Sequence, residues 1–355
     1  MDKIKVAVLF GGASSEHEVS EMSAASVLQN INRDKYDVYP IGITRDGKWY
    51  YYKGDINNIK GCEWEKHKDN LPACFTPGSG EKGLITSKGS INVDVVFPVL
   101  HGKYGEDGTV QGLLEMVGVP YVGCKVLSSA VCMDKIVANN IMDAHRIGRC
   151  EWDYMTASEI KDFDAIEVRL AEKLHYPIFV KPANAGSSVG ITKAEDKHEL
   201  LAAVRLALQH DKRVVFERFV DGHEVECAVM GADKPFATMP GEIIASKEFY
   251  DYEDKYLAGT SHVEIPAKLP VNTLDKIHRT AIESYKALCC EGLARVDFFV
   301  ERKTGRVLLN EINTMPGFTA ISMYPKLMMA SGLTYSDIID KLITQALAKQ
   351  EGYNG

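Results

Sequence analysis

The sequence predicts an α/β protein of more than one domain, with an open, mostly parallel sheet at its start and α+β character further on. Three observations predict it. Strand-like and helix-like segments alternate through the first third, the order that builds a parallel sheet with ligand sites at the strand C-termini. The 355 residues suffice for two or three compact domains. With 45% hydrophobic and 25% charged residues, the composition is globular rather than disordered or fibrous.

The first strand is residues 6–10, an apolar run closed by Gly11-Gly12. Residues 16–31 follow as a helix with Val19, Met22, Ser26 and Ile31 near one face. Residues 36–43 and 93–99 read as further strands and 109–117 as a helix. The polar stretch 44–90, with Gly78-Ser79-Gly80 and several aromatics, predicts a hairpin-rich insertion. From about Met133 the character changes: a helix, a strand at 177–182 carrying Lys181, the loop 184–190, a helix at 197–210 and a strand at 214–219. Strands at 224–230, 292–300 and 306–313 and an amphipathic helix at 335–350 complete the pattern. Boundaries are expected near 133 and 222, dividing the chain into 1–132, 133–222 and 223–355.

The formal charge of -8 argues against a duplex-binding surface but leaves room for a nucleotide held by a few local lysines. Met1 leads through two charged residues directly into the first strand, and no apolar run approaches the roughly 18 residues that span a bilayer. The eight cysteines are scattered without a CxxC pair, which predicts reduced, mostly buried thiols in a cytoplasmic protein.

The strongest local signal is the pair Ala294-Arg295-Val296-Asp297 and Asn310-Glu311-Ile312-Asn313, two strands around a Lys303-Thr304-Gly305 turn. Alternation puts Arg295 and Asp297 on one face and Glu311 and Asn313 on one face. A hairpin register brings Asp297 opposite Glu311, so that hard oxygen ligands suited to magnesium converge. Without a cation, two such carboxylates repel and one takes up a proton. The alternative is a solvated polar strand face, which the apolar neighbours on both strands weaken.

Lys181 followed by Gly186-Ser187-Ser188-Val189-Gly190 pairs a point charge with a small-residue loop whose N–H groups can approach phosphate oxygens, although such turns are also common without a ligand. It is not a Walker A loop. Lys135, at the start of a helix, is a second cation candidate. The run from Phe249 to Tyr256 reads either as a lid that adds Lys255 to the phosphates or as an ordinary surface loop. The glycine-rich segment from His101 to Gly108 favours a site-forming turn, and spacing leaves open whether His101 acts on a ligand or only as a hydrogen-bond partner. A dinucleotide-binding dehydrogenase is excluded by the lack of a G-x-G-x-x-G after the first strand.

In combination and order these segments resemble the D-alanine–D-alanine ligase family of the ATP-grasp superfamily. The matching pieces are Phe10-Gly11-Gly12 through Ser20, His101 to Gly112, Met133-Asp134-Lys135, Lys181-Pro182 through Gly190, Tyr250-Asp251-Tyr252 through Tyr256, Arg295-Val296-Asp297, and Asn310 through Thr319. They span essentially the whole chain. The resemblance implies a three-domain ATP-grasp architecture, ATP as co-substrate, two magnesium ions with manganese as a substitute, and a homodimer without nucleic-acid or membrane partners. It implies that Glu16 holds the ammonium of a first D-alanine near His101, and that Lys135, Lys181 and Lys255, with Ser188, neutralise the ATP phosphates. Glu217, Arg218, Phe219 and Val220 match the adenine-contacting linker, and Glu224 the residue that accepts the ribose hydroxyls. Asp297, Glu311 and Asn313 match the metal ligands, and Ser187 and Tyr256 the pair that latches the lid with Glu16. Arg295, the Gly317 N–H, Ser322 and Met323 match the wall of the second D-alanine subsite.

The implied reaction is D-alanyl-D-alanine formation through an acyl phosphate for cell-wall precursor synthesis, and the implied alternative is a D-alanine–D-serine ligase of the glycopeptide-resistance type. Tyr256 matches the dipeptide-forming members, whereas D-lactate ligases tend to place a histidine in that loop. Relatives of the resistance type often carry arginine at the Met323 position and ordinary members an apolar residue. Segments 93–105 and 316–319 look similar to the D-serine group, and Ala320-Ile321 replaces a serine-histidine pair often found in the family. A nucleotide-binding regulator that had lost catalysis would lack a metal ligand or phosphate lysine, and each of these is present.

Overall fold

A strand buried on both faces of a parallel sheet reads as one apolar run, and the opening run behaves that way. In the computed structural model, which describes residues 2–78, 83–186, 189–244 and 262–353, β1 (Ile4–Gly11) lies parallel to β2 (Tyr36–Ile43). Next, β3 (Trp49–Tyr51), β4 (Leu71–Phe75), β5 (Gly83–Thr86) and β6 (Gly89–Asn92) continue the sheet antiparallel. Finally β7 (Val95–Pro98) returns to the other side of β1, parallel to it. The alternating elements thus make the parallel centre, and the polar insertion extends its edge, because short hairpin turns can only produce antiparallel neighbours.

The first helix, α1 (His17–Asn30), departs from the expected stripe. Val19 is buried and so is Ile31 just beyond the helix, but Met22 and Ser26 are only half-buried, while His17, Ser20, Glu21 and Ser23 lie inside. The helix packs against β1, the 56–58 turn and the C-terminal helix together, so hydrogen-bonded polar residues occupy its inner faces and mask the period. Ser20 Oγ, for example, accepts the Gly11 N–H at 2.9 Å and donates to the Val99 carbonyl.

After α2 (Thr109–Val117) and α3 (Val126–Met133), Asp134 caps α4 (Lys135–Ala144) by accepting the N–H groups of Ile136 and Val137, both at 3.1 Å. This sharp break sets Lys135 at the first position of α4. The second sheet comprises β8 (Trp152–Thr156), β9 (Ile178–Pro182), β10 (Thr192–Ala194) and β11 (Arg213–Arg218) in the order β10-β9-β11-β8. It is backed by α5 (Phe163–Leu174) and α6 (Lys197–Ala207), whose Leu170, Leu174, Leu200 and Val204 form its core with Val180 and Phe216.

The third sheet runs β15-β14-β12-β16-β17, with β13 (Phe236–Ala237) beside β12. Its strands are β12 (Gly222–Gly231), β14 (Gly241–Ile244), β15 (His262–Glu264), β16 (Gly292–Glu301) and β17 (Val307–Asn313). One face carries α7 (Val271–Ala287) through Leu274, Ile277, Ala281 and Tyr285. The chain then forms α8 (Met323–Ala330) and α9 (Tyr335–Tyr353). Ile338, Ile339, Leu342 and Ile343 of α9 are buried in a core shared by Val6, Phe10 and Phe97 of the first sheet and Ala228, Met230 and Leu293 of the third. Burying each such side chain contributes about 1.5–3 kcal/mol. The first and third sheets therefore share a core while the second keeps its own, and Met142 of α4 packs with the third sheet. Among the described residues no helix is long and apolar enough to cross a membrane.

Candidate active site

The hairpin of β16 and β17 aligns Arg295 with Asn313, Val296 with Ile312 and Asp297 with Glu311, before the register shifts between Asp297 and Phe298. Val296, Phe298 and Ile312 enter the core, so alternation turns the polar set to the other face. There the two Asp297 oxygens each accept from the Arg295 guanidinium at 2.8 Å, and Oδ2 also accepts the Asn313 amide at 2.9 Å. Arg295 Nε lies 2.9 Å from Glu226 as well. A single guanidinium so faces two carboxylates that are 7% and 8% exposed, a fork geometry lysine cannot reproduce.

Lys181 on β9 meets Glu217 on β11 at 2.5 Å. Burial alone would lower its ammonium pKa, but the Glu217 carboxylate outweighs this and holds it raised. Lys135 Nζ donates to the Ala185 carbonyl at 2.7 Å, and burial lowers its pKa despite the attraction of Glu311. Both lysines, Glu311 and Asn313 line one cavity of about 630 Å³. Phe179, Phe219, Val220 and Ile243 also line it, with Glu217 and Glu224, so apolar side chains stand among polar groups. Arg218 at the rim is held by Glu151 and Glu301 at 2.5 and 3.1 Å. Two half-buried cations, hard oxygen donors and apolar side chains in one space fit a magnesium-bound nucleotide.

A smaller cavity of about 90 Å³ shares Glu16, Glu106, Glu311 and Asn313 with the first, and adds His101, Arg295, Gly317, Ser322 and Met323. Glu16 is 6% exposed and lies against two glycines. A Cβ on Gly102, whose φ is +68°, would come within 2.2 Å of Glu16 Oε2, and one on Gly186 within 2.6 Å. His101 is buried and spans two segments: Nε2 meets Ser23 Oγ at 3.0 Å and Nδ1 the Met315 carbonyl at 2.9 Å. Burial pushes its pKa down to about 4, so the imidazole is neutral. Ser322 Oγ accepts the Thr319 N–H at 3.1 Å and so shapes its own loop.

Glu106 was not singled out by sequence, although an acid inside a glycine-rich turn after a strand is a usable signal. It accepts the Gly102 N–H at 2.7 Å and the Met315 N–H at 3.2 Å. Burial and then the charge of Glu16 push it up to about 8. The expected roles of Ser187, Ser188, Lys255 and Tyr256, and of the 249–256 loop, lie outside the described residues. The cysteines are free thiols; Cys124, Cys150, Cys227 and Cys290 are buried, whereas Cys74 and Cys289 are exposed. Away from the cavity, Cys62 joins His17 around Glu21, which also accepts the Trp64 indole N–H at 2.6 Å and the Cys62 N–H at 3.2 Å. That cluster is hydrogen-bonded internally and pins the 56–66 segment to α1.

Comparison with known proteins identifies this arrangement. The family model described as D-ala D-ala ligase N-terminus matches residues 5–124, and that described as D-ala D-ala ligase C-terminus matches 141–344. The chain is 51% identical to a D-alanine--D-alanine ligase of Acetivibrio thermocellus over 98% of its own length and 97% of the relative's. It is 50% identical to D-alanine--D-alanine ligase B of Clostridium tetani, over 98% and 94%. Among solved structures it superposes on the VanG D-Ala:D-Ser ligase of Enterococcus faecalis with a TM-score of 0.89 at 43% identity, covering 97% of this chain and 100% of that one. The D-alanine-D-alanine ligase of Coxiella burnetii gives the same TM-score at 34% identity, covering 100% and 97%. Three sheets around one nucleotide-sized cavity are thus the ATP-grasp arrangement, and the chain belongs to the D-alanine–D-alanine ligase family.

Proposed function

We propose that this protein joins two D-alanine molecules into D-alanyl-D-alanine with ATP, supplying a cell-wall precursor in the cytoplasm. One observation carries the reading: the lysine pair, Glu311 and Asn313 (the latter hydrogen-bonded to Asp297) and the Glu16 cleft line adjoining cavities that share Glu16, Glu106, Glu311 and Asn313.

In this reading adenine lies beside Glu217, Arg218, Phe219 and Val220, with Glu224 accepting the ribose hydroxyls. Lys135 and Lys181, joined by Lys255 and Ser188, hold the phosphates. Asp297, Glu311 and Asn313 would hold two magnesium ions, for which manganese is a substitute. When bound, the metal supplies charge neutralisation on the transferring phosphoryl group. Glu16, with His101 behind it, holds the ammonium of the first D-alanine, whose carboxylate takes the γ-phosphoryl group of ATP and becomes an acyl phosphate. The second D-alanine lies against Arg295, the Gly317 N–H, Ser322 and Met323. Its amine attacks the acyl carbon, phosphate leaves, and Arg295 with the Gly317 N–H stabilises the tetrahedral oxyanion. Ser187 and Tyr256 close the 249–256 loop over Glu16 and exclude the water that would hydrolyse the acyl phosphate. The division at 133 and 222 assigns the first amino acid to residues 1–132 and the metal and second amino acid to 223–355. A homodimer is the proposed assembly.

The 43% identity to a D-Ala:D-Ser ligase supports a second reading with D-serine as acceptor. Against it stands Met323, which is 6% exposed and offers an acceptor hydroxyl only a thioether. Incubation with ATP, magnesium and D-alanine, alone and with D-serine or D-lactate added, followed by product mass, tests both. D-alanyl-D-alanine should dominate every mixture. A dominant D-alanyl-D-serine would transfer the reading to the D-serine class, and no D-alanine-dependent phosphate release would end the ligase reading.

A further inference from the structure

The turn after β7 is joined to the loop after β17 by His101 and by Glu106, which the reaction scheme above leaves without a role. Both backbone groups of Met315 are taken by this turn. Its N–H donates to Glu106 Oε1 at 3.2 Å, and its carbonyl accepts from His101 Nδ1 at 2.9 Å. The second Glu106 oxygen accepts the Gly102 N–H at 2.7 Å, and the Glu106 N–H closes the turn on the Gly102 carbonyl at 2.9 Å. His101 continues to Ser23 of α1 at 3.0 Å, and Ser23 Oγ accepts the Phe318 N–H at 3.1 Å. The turn and the loop so joined are 209 and 214 residues apart at these two contacts.

What these segments carry gives the connection its meaning. Gly102 lies under the Glu16 carboxylate, and the loop from Met315 leads through Gly317 to Ser322 and Met323. Glu106 lines both cavities, at the point where they meet Glu16. We propose that Glu106 is a positioning residue, whose carboxylate bridges the 101–108 turn and the 315–322 loop and so sets the spacing between the two amino-acid subsites. This rests on the ligase reading for the identity of the substrates. The acceptor amine and the acyl carbon must meet within a few tenths of an ångström of the productive geometry, so a clasp between their two supports governs rate through distance. A carboxylate suits the task because it accepts at both oxygens. A glutamine accepts at one and turns an N–H₂ toward the other donor.

Glu106→Gln and Glu106→Asp are the informative variants. The first removes one acceptor, and the second keeps both carboxyl oxygens but is one methylene too short for both donors. Deuterium uptake of the 314–322 peptide and of the 101–108 turn tests the clasp without any assay of activity. Faster uptake at one of them is expected in each variant at unchanged melting temperature, and wild-type uptake at both overturns the proposal. Steady-state kinetics test the positioning: kcat/KM for the acceptor amino acid should fall about 10–100-fold with KM for ATP within about twofold of wild type. Full activity in Glu106→Asp, or a parallel rise in both KM values, also overturns it. If the wild type itself shows no D-alanine-dependent phosphate release, the ligase reading fails, and the exchange data still decide the clasp.

Discussion

Two acidic groups near the same cavities, Asp297 beside the lining residues Arg295 and Asn313 and Glu106 in the lining itself, are built in opposite ways. On the β16–β17 hairpin, Asp297 is met by a guanidinium from two residues away and an amide from the neighbouring strand. In the cleft beside Glu16, Glu106 is met by backbone N–H groups from two loops, and burial and then the charge of Glu16 raise its proton affinity. The first group takes its partners from within one hairpin, a guanidinium and an amide that both donate to it. The second spreads its supports over three segments, so its geometry depends on how those segments pack. A charge held by a local cation is robust to packing, whereas one held by distant backbone is a reporter of it.

The largest effect should come from removing the local cation. Arg295→Met leaves Asp297 and Glu226 as buried carboxylates without their guanidinium, which should cost about 3–5 kcal/mol in denaturant unfolding. Activity should fall at least about 100-fold if, as proposed, the guanidinium is the oxyanion donor. A stability change below about 1 kcal/mol would show that the hairpin charge is not locally balanced.

Next comes the pH response of the cleft. The His101 pKa is depressed to about 4 from 6.5, so the folded state binds fewer protons than the unfolded one. Its contribution is complete above pH 6.5 and is lost as the pH falls toward 4, amounting to about 3 kcal/mol. Wild type and His101→Gln should therefore converge in unfolding free energy between pH 6.5 and 4; a constant gap would contradict a buried neutral imidazole. The smallest effect is expected away from both groups. Trp64→Phe removes the indole donor to buried Glu21 and should cost about 2 kcal/mol. Turnover should stay unchanged, since that cluster pins the 56–66 segment rather than the cavity; a lower kcat would mean that α1 transmits the strain to Glu16.

The hairpin was legible because its chemistry is local: alternation and a short turn are enough to set Asp297 against Glu311. The parallel centre of the first sheet was legible for the same reason, as an apolar run on β1. Helix α1 was read less well, since the expected stripe of Met22 and Ser26 is half-buried and Ser20, Glu21 and Ser23 are inside. Polar residues that find partners on neighbouring elements carry no hydrophobic period. Glu106 was missed on similar grounds, because its partner Met315 lies 209 residues away.

By itself the sequence determined most element types and the pairing of carboxylates on one hairpin, and it left Lys135 and Lys181 as candidates. Each follows from contacts within a few residues or from strand alternation. Tertiary structure alone decided that His101 is a buried neutral link, that Glu217 already compensates Lys181, and that Glu106 joins two loops at the cleft. The physical reason is that burial and long-range hydrogen bonds set proton affinity and spacing, and neither exists until the first and third sheets close around their common core.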